Sequence, residues 1–221
     1  MSIVKFSDVD LKKISYTNPE KQGQYYYSAI SYGPKDPLHI QTPRMICKSN
    51  GSECVLKKTP TIEIESLTLD FLFYDFILSL DERNIQETFR NNESWFGKDI
   101  PLEVIDDMYK RTTKPNKENS KPKFIFKIPV VKNSAQCPIY DQKKICQTID
   151  KITKDCEVIL ILHIRGLKFL KQHYYCDCYV SQMKVFLPSE EKYSVIQNYV
   201  IEDDENSEPL ELKDSIIEKA E

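Results

Sequence analysis

Apolar and polar positions alternate with a period of two along most of this chain, and the period lengthens in one central stretch. Ile62 and Ile64 alternate with Glu63 and Glu65, and Phe124, Phe126 and Ile128 with Lys123, Ile125 and Lys127. A strand with one face covered reads this way, because successive side chains point to opposite sides. The pattern predicts strands at Tyr25–Tyr32, Leu38–Cys47, Glu53–Lys57, Ile62–Phe73, Lys123–Val131, Glu157–Arg165 and Tyr174–Leu187. Pro43 interrupts the second, as at an edge or a bulge. Gly33-Pro34, Ser49-Asn50-Gly51 and Gly166 supply turns between strands. Ile77, Leu80, Ile85 and Phe89 recur at helical spacing and predict a helix over Tyr74–Asn91, with a break near Asp81. A second helix is expected over Pro101–Lys110, opened by proline in its first turn. Residues 1–24 read as a polar arm, residues 25–200 as the folded domain and residues 201–221 as a flexible tail.

Strands, a helical insertion and further strands give a mainly β fold. The order matches a closed or half-closed barrel of the oligonucleotide/oligosaccharide-binding (OB) type, with its helix between the third and fourth strands. A β-sandwich is the alternative, since periodicity carries no information on closure. Composition agrees with the bias toward strands: 13 Tyr and 10 Phe, against three Ala. No apolar run reaches the roughly 18 residues of a membrane span, and Met1–Lys5 has no secretory apolar core. An intracellular setting is expected. Seven Cys without a secretory signal read as reduced, buried thiols. Cys176 and Cys178 are spaced for one face of a strand rather than for zinc, so neither metal nor cofactor is expected.

Charge is unevenly spread. Residues 201–221 carry a net −7 and residues 1–200 a net +4. Phosphate-loop, nucleophile-elbow and zinc-protease motifs are all absent, and Asp106-Asp107 on a helix diverge, so the chain is expected to bind rather than catalyse. Lys110, Arg111, Lys114, Lys117, Lys121, Lys123 and Lys127 lie within eighteen residues that contain a single acid, Glu118. Such a run releases counterions from a phosphate backbone. Phe124 and Phe126 share the apolar face of their strand and read as core. Trp95, followed by Phe96-Gly97-Lys98, is either a platform for a stacked base or a plug in the barrel's end. The Tyr25–Tyr27 and Tyr174-Tyr175 runs must place some rings outward.

Pro37–Pro43, Leu67–Phe71, Trp95–Lys98, Phe124–Pro129 and Val180–Val185, taken in this order, resemble single-stranded-DNA-binding proteins of the OB-barrel type from nucleocytoplasmic large DNA viruses. The resemblance spans residues 25–187. It departs from that plan at Gly166–Phe169, which offers only one aromatic residue, and at the terminus Lys219-Ala220-Glu221, which lacks one. It implies a non-enzymatic protein that coats single-stranded nucleic acid, DNA rather than RNA, in viral replication, recombination or repair. Its setting would be the host cytoplasm or nucleus. It implies a binding role for Trp95, Lys98 and the basic strand Lys123–Lys127, to which the basic run itself adds Lys110, Arg111, Lys114 and Lys121 as expected site residues. The acidic tail would recruit replication proteins or compete for the groove. The alternative is a virion structural, minor capsid or assembly protein, in which the Tyr25–Tyr32 edge joins a neighbouring copy in a homo-oligomer.

Overall fold

The computed structural model describes residues 3–68, 71–113 and 120–188. Five strands close a barrel: β3 (Met45–Cys47), β4 (Thr61–Ser66), β5 (Lys123–Lys127), β6 (Glu157–Phe169) and β7 (Tyr174–Phe186). They run β3-β4-β5-β7-β6 and return to β3. Every pairing is antiparallel except β5 with β7, joined at Lys127 and Tyr179. This order, with one parallel pair opposite the closing seam, is an OB-like barrel, and the closure rules out a sandwich. Two earlier strands, β1 (Tyr25–Tyr32) and β2 (Leu38–Gln41), extend the sheet by pairing along β6. β2 and β3 are one extended run broken at Pro43. There the Thr42 hydroxyl accepts from the Leu160 amide at 3.0 Å, filling a gap in the ladder.

The barrel holds Met45, Cys47, Ile62, Ile64, Leu160 and Val180, all fully buried, with Phe124 and Phe126 stacked across its middle at 6.2 Å. The phenylalanines are core, as the alternation predicts. Helices α2 (Leu72–Arg90), α3 (Asn92–Phe96) and α4 (Leu102–Met108) cover one end. They sit between the second and third barrel strands rather than the third and fourth. α2 presents Phe73, Ile77, Leu80, Asn84 and Thr88 inward at helical spacing, and Phe73 packs on Phe124 at 4.9 Å. Burying each such large apolar side chain is worth about 1.5–3 kcal/mol.

Four local expectations change. Glu53–Lys57 lies in a short helix, α1 (Gly51–Leu56), not a strand. Gly51, Cys54 and Val55 are its buried positions, a helical spacing, and a Cβ on Gly51 would stand 2.1 Å from the Ile149 carbonyl oxygen. α2 runs unbroken through Asp81. Gly166 does not turn the chain but lies inside β6 at a bulge, and the turn comes at Leu170–His173. Pro101 precedes α4 as its cap. The polar segment before residue 25 is laid against the sheet: Ile3–Lys5 pairs with β2, while Ile14–Tyr16 and Glu20–Gln22 pair with β1. β1 therefore has β6 on one side and these short strands on the other, and is not the open edge its sequence suggests.

Asp81 explains why α2 is continuous. Its side chain is fully buried and accepts from the Tyr109 hydroxyl at 2.6 Å, the Thr112 hydroxyl at 2.8 Å and the Thr112 amide at 2.8 Å. Asn84 donates to the same Tyr109 oxygen at 3.0 Å and accepts from Tyr16 at 2.8 Å. Burial raises the Asp81 pKa, while the hydrogen bonds from Tyr109 and Thr112 and the charge of Arg111 oppose it. The network fixes residues 109–113 against the barrel. Asp81→Asn keeps the shape but turns an amide N–H2 toward Thr112 or Tyr109, leaving one buried donor unpaired. Chemical denaturation should show a loss of about 1–3 kcal/mol. An unchanged midpoint would contradict this role.

Candidate nucleic-acid interface

On the outer face of β1, β5, β6 and β7, aromatic rings and cations interleave across strands. Tyr175 on β7 stands opposite Lys168 on β6, which stands opposite Tyr27 on β1. Four residues along β7, Tyr179 stands opposite His163 and beside Lys127. The Lys168 ammonium lies 3.9 Å from the centre of the Tyr25 ring, which meets Tyr27 edge-on at 6.5 Å. The Lys127 ammonium lies 4.4 Å from Tyr175 and 5.3 Å from Tyr179, and the Arg165 guanidinium 5.5 Å from Tyr179. Strand alternation produces this band: residues 175, 177 and 179 of β7 turn outward while Tyr174, Cys176, Cys178 and Val180 turn into the core. Gly166 permits it, since a Cβ there would meet the Ser28 carbonyl oxygen at 2.3 Å and the Tyr27 ring at 2.8 Å.

Asp177, buried at the band's centre, organises the cations. Lys127 donates to it at 3.0 Å and Arg165 approaches its other oxygen at 3.9 Å. Burial works against the Lys127 charge, but the hydrogen bond and charge of Asp177 outweigh it, so the Lys127 pKa is raised. Burial likewise raises the Tyr27 and Tyr179 hydroxyl pKa values, with Asp177 adding to both. These groups stay as phenols and a cation at neutral pH. Such a surface can stack planar rings and hold anionic oxygens. Among the described residues, no group of three or more His, Cys, Asp or Glu could hold a metal ion.

The residues singled out from the sequence separate into three places. Lys110, Arg111 and Lys127 line one shallow cleft of about 310 Å³ with Ile125, His173 and Tyr175. Lys123 stands exposed further along β5, 3.6 Å from Glu65. Arg111 is paired to Asp106 at 2.6 Å, and Lys110 forms no ion pair among the described residues. Lys121 is turned away, donating to the Leu67 carbonyl at 2.7 Å. Trp95 and Lys98 lie on the opposite side of the β6–β7 tip, where Trp95 is half-buried against Phe169 at 5.9 Å. Lys114 falls outside the described residues. The aromatic runs signal Tyr25, Tyr27 and Tyr175. Arg165, Lys168 and Tyr179 carry no local signal, because they join the band only through strand register.

His163, although it lies in the apolar run of β6, stands half-exposed on this face and stacks on buried His39 at 4.3 Å. All seven cysteines are free, and Cys146 is exposed rather than buried. Burial lowers the His163 pKa to about 4, helped by the charges of His39 and Arg165, and burial also lowers that of His39. The unfolded chain takes up these protons near pH 6.5 and the folded one only below it, so the pair contributes stability above pH 6.5 that is lost on acidification toward pH 4. Thermal melts between pH 6.5 and 5 should fall for the natural chain and fall less for His163→Gln. Equal slopes would contradict the assignment.

No curated protein matches the sequence. Among solved structures, the chain is similar to the single-stranded DNA-binding protein from bacteriophage Enc34 in a C-terminal truncation. The identity is 13% over 81% of this chain and 98% of that one, with a TM-score of 0.45. The same phage protein in complex with single-stranded DNA matches at 13% identity over 79% and 97%, with a TM-score of 0.43. Gp2.5, a single-stranded DNA-binding protein encoded by bacteriophage T7, matches at 8% identity over 72% and 98%, with a TM-score of 0.44. At the level of sequence, residues 57–203, more than half of the chain, match the profile of one family, and the chain belongs to it: DUF5871, a family of unknown function.

Proposed function

We propose that this protein binds single-stranded DNA, without catalysing a reaction on it, through the tyrosine–cation band on β1, β5, β6 and β7. One observation carries the reading: three cations, Lys127, Arg165 and Lys168, sit within 3.9–5.5 Å of the rings of Tyr25, Tyr175 and Tyr179. Bases stack on such rings whatever their identity, and phosphates pair with the cations between them. Duplex DNA keeps its bases stacked on one another and offers the rings nothing. Replication, recombination or repair of viral DNA in the host cytoplasm or nucleus is part of the proposal. So is recruitment of replication proteins through residues 201–221. Both rest on the sequence resemblance and on the −7 charge of those residues.

Lys110 and Lys168 are the cations of choice for a test, because neither neutralises Asp177. Binding of an oligothymidylate should weaken with salt at about −0.7 log units per log unit for each phosphate contact. Lys110→Ala with Lys168→Ala should flatten that slope by about one to one and a half. Tyr179→Leu should cost about 1–3 kcal/mol of binding at constant salt. A slope unchanged in the double variant, with affinity intact in Tyr179→Leu, would place the groove elsewhere.

A further inference from the structure

The tip of the β6–β7 hairpin has two faces, and the tyrosine–cation band occupies one. On the other, Phe169 of β6 pairs with Tyr26 of β1, one residue on from Lys168 and Tyr27. Here α3 and α4 stand off the sheet and leave a cavity of about 610 Å³. That is within the span of small-ligand pockets, about 300–1,000 Å³. Its lining sets four rings, Tyr26, Trp95, Phe96 and Phe169, beside the aliphatic side chains of α4. Trp95 and Phe96 meet Phe169 edge-on at 5.9 and 5.7 Å, and Phe169 lies flat on buried Tyr174 at 5.0 Å. Asn18 accepts from the Trp95 indole N–H at 3.3 Å and holds the ring's orientation. Lys98 and Lys171 stand exposed at the lining, which contains no Asp or Glu.

We propose that this cavity takes a single unstacked nucleotide, its base between the aromatic walls and its phosphate between Lys98 and Lys171. The occupant follows from the lining. Aromatic side chains favour a flat π system, the two ammonium groups favour an anion beside it, and no Asp or Glu of the lining repels it. Position agrees as well. Lys171 belongs to the Leu170–His173 turn, and His173 at the other end of that turn stacks on Tyr175 at 6.3 Å and lines the cleft on the band's side. A strand that runs over the band can round the turn and leave one residue, terminal or extruded, in the cavity. Trp95 then contributes a wall of a half-open pocket and neither a platform on a flat face nor a plug. This inference rests on the single-strand reading above, and it assigns a site which that reading does not need.

The chain's single tryptophan lies in this pocket and none lies in the band, so its emission reports on the pocket alone. Thymidine 5′-monophosphate should quench Trp95 saturably, while deoxyribose 5-phosphate, which has no base, should not. Lys98→Glu with Lys171→Glu changes two exposed side chains and should leave the melting temperature in place. It should weaken the mononucleotide by about tenfold or more, equivalent to about 1.4 kcal/mol. Oligothymidylate binding followed by tyrosine emission or anisotropy should change much less. Oligothymidylate binding without any quenching by the mononucleotide would overturn the pocket and leave the band standing. Equal quenching by the baseless phosphate, or an unaltered mononucleotide affinity in the double variant, would also overturn it. If neither ligand binds, both readings fall.

Discussion

The pairing of two thirteen-residue strands, Glu157–Phe169 and Tyr174–Phe186, is the constraint on which the remaining architecture depends. β6 is the partner of β1, β2 and β3, and β7 is the partner of β5, Tyr109–Lys110 and Ile139–Tyr140. Strands this long cannot stay flat. Bulges near Ile161 and Gly166 bend them, so that one half of each closes the barrel while the other half projects as a tip with two usable faces. Alternation along β7 sends Tyr174, Cys176, Cys178 and Val180 into the core and Tyr175, Asp177 and Tyr179 outward, and the register shift at Gly166 brings Lys168 of β6 to the same outer face. Core and candidate interface are thus written on the same two strands.

Two buried carboxylates show how polar groups secure this arrangement by different means. Asp177 is compensated by charge, and in exchange it fixes Lys127 and Arg165 beside the rings they serve. Asp81 has no cation within bonding distance among the described residues, and is compensated by three hydrogen bonds from Tyr109 and Thr112. A buried polar group left half-satisfied costs more than an apolar one, so each network holds its neighbours in one geometry. Through residues 109–113 the Asp81 network also sets Lys110 and Arg111 at the edge of the band. The helical insertion therefore serves the sheet's outer face as well as its core.

Much of this was legible in the sequence, and the remainder fails for identifiable reasons. Period-two alternation in Ile62–Glu65 and Lys123–Lys127 depends on neighbouring residues alone, so it marked the strands and correctly assigned Phe124 and Phe126 to the core. α1 was misread because six residues give barely one helical repeat, and the close approach to Ile149 that demands Gly51 is a tertiary fact. Gly166 looked like a turn because a glycine needed for close backbone approach and one needed for a bend are the same letter. The basic run from Lys110 to Lys127 drew attention to cations contiguous in sequence. Lys121 nonetheless turns to the Leu67 carbonyl, while Arg165 and Lys168 arrive from a strand more than thirty residues away. Which cation lies over which ring is a matter of register between strands, and register is set by the whole sheet.

The central claim is that single-stranded DNA lies across the outer face of β1, β5, β6 and β7. Photo-crosslinking with an oligonucleotide carrying 5-iododeoxyuridine, followed by mass spectrometry of the adducts, tests it residue by residue. The account predicts adducts on Tyr25, Tyr27, Tyr175 and Tyr179, lost when unlabelled single strand is added and retained when duplex is added. Adducts confined to aromatic residues elsewhere, such as the exposed Phe71 or Phe89, with none on those four tyrosines, would contradict it.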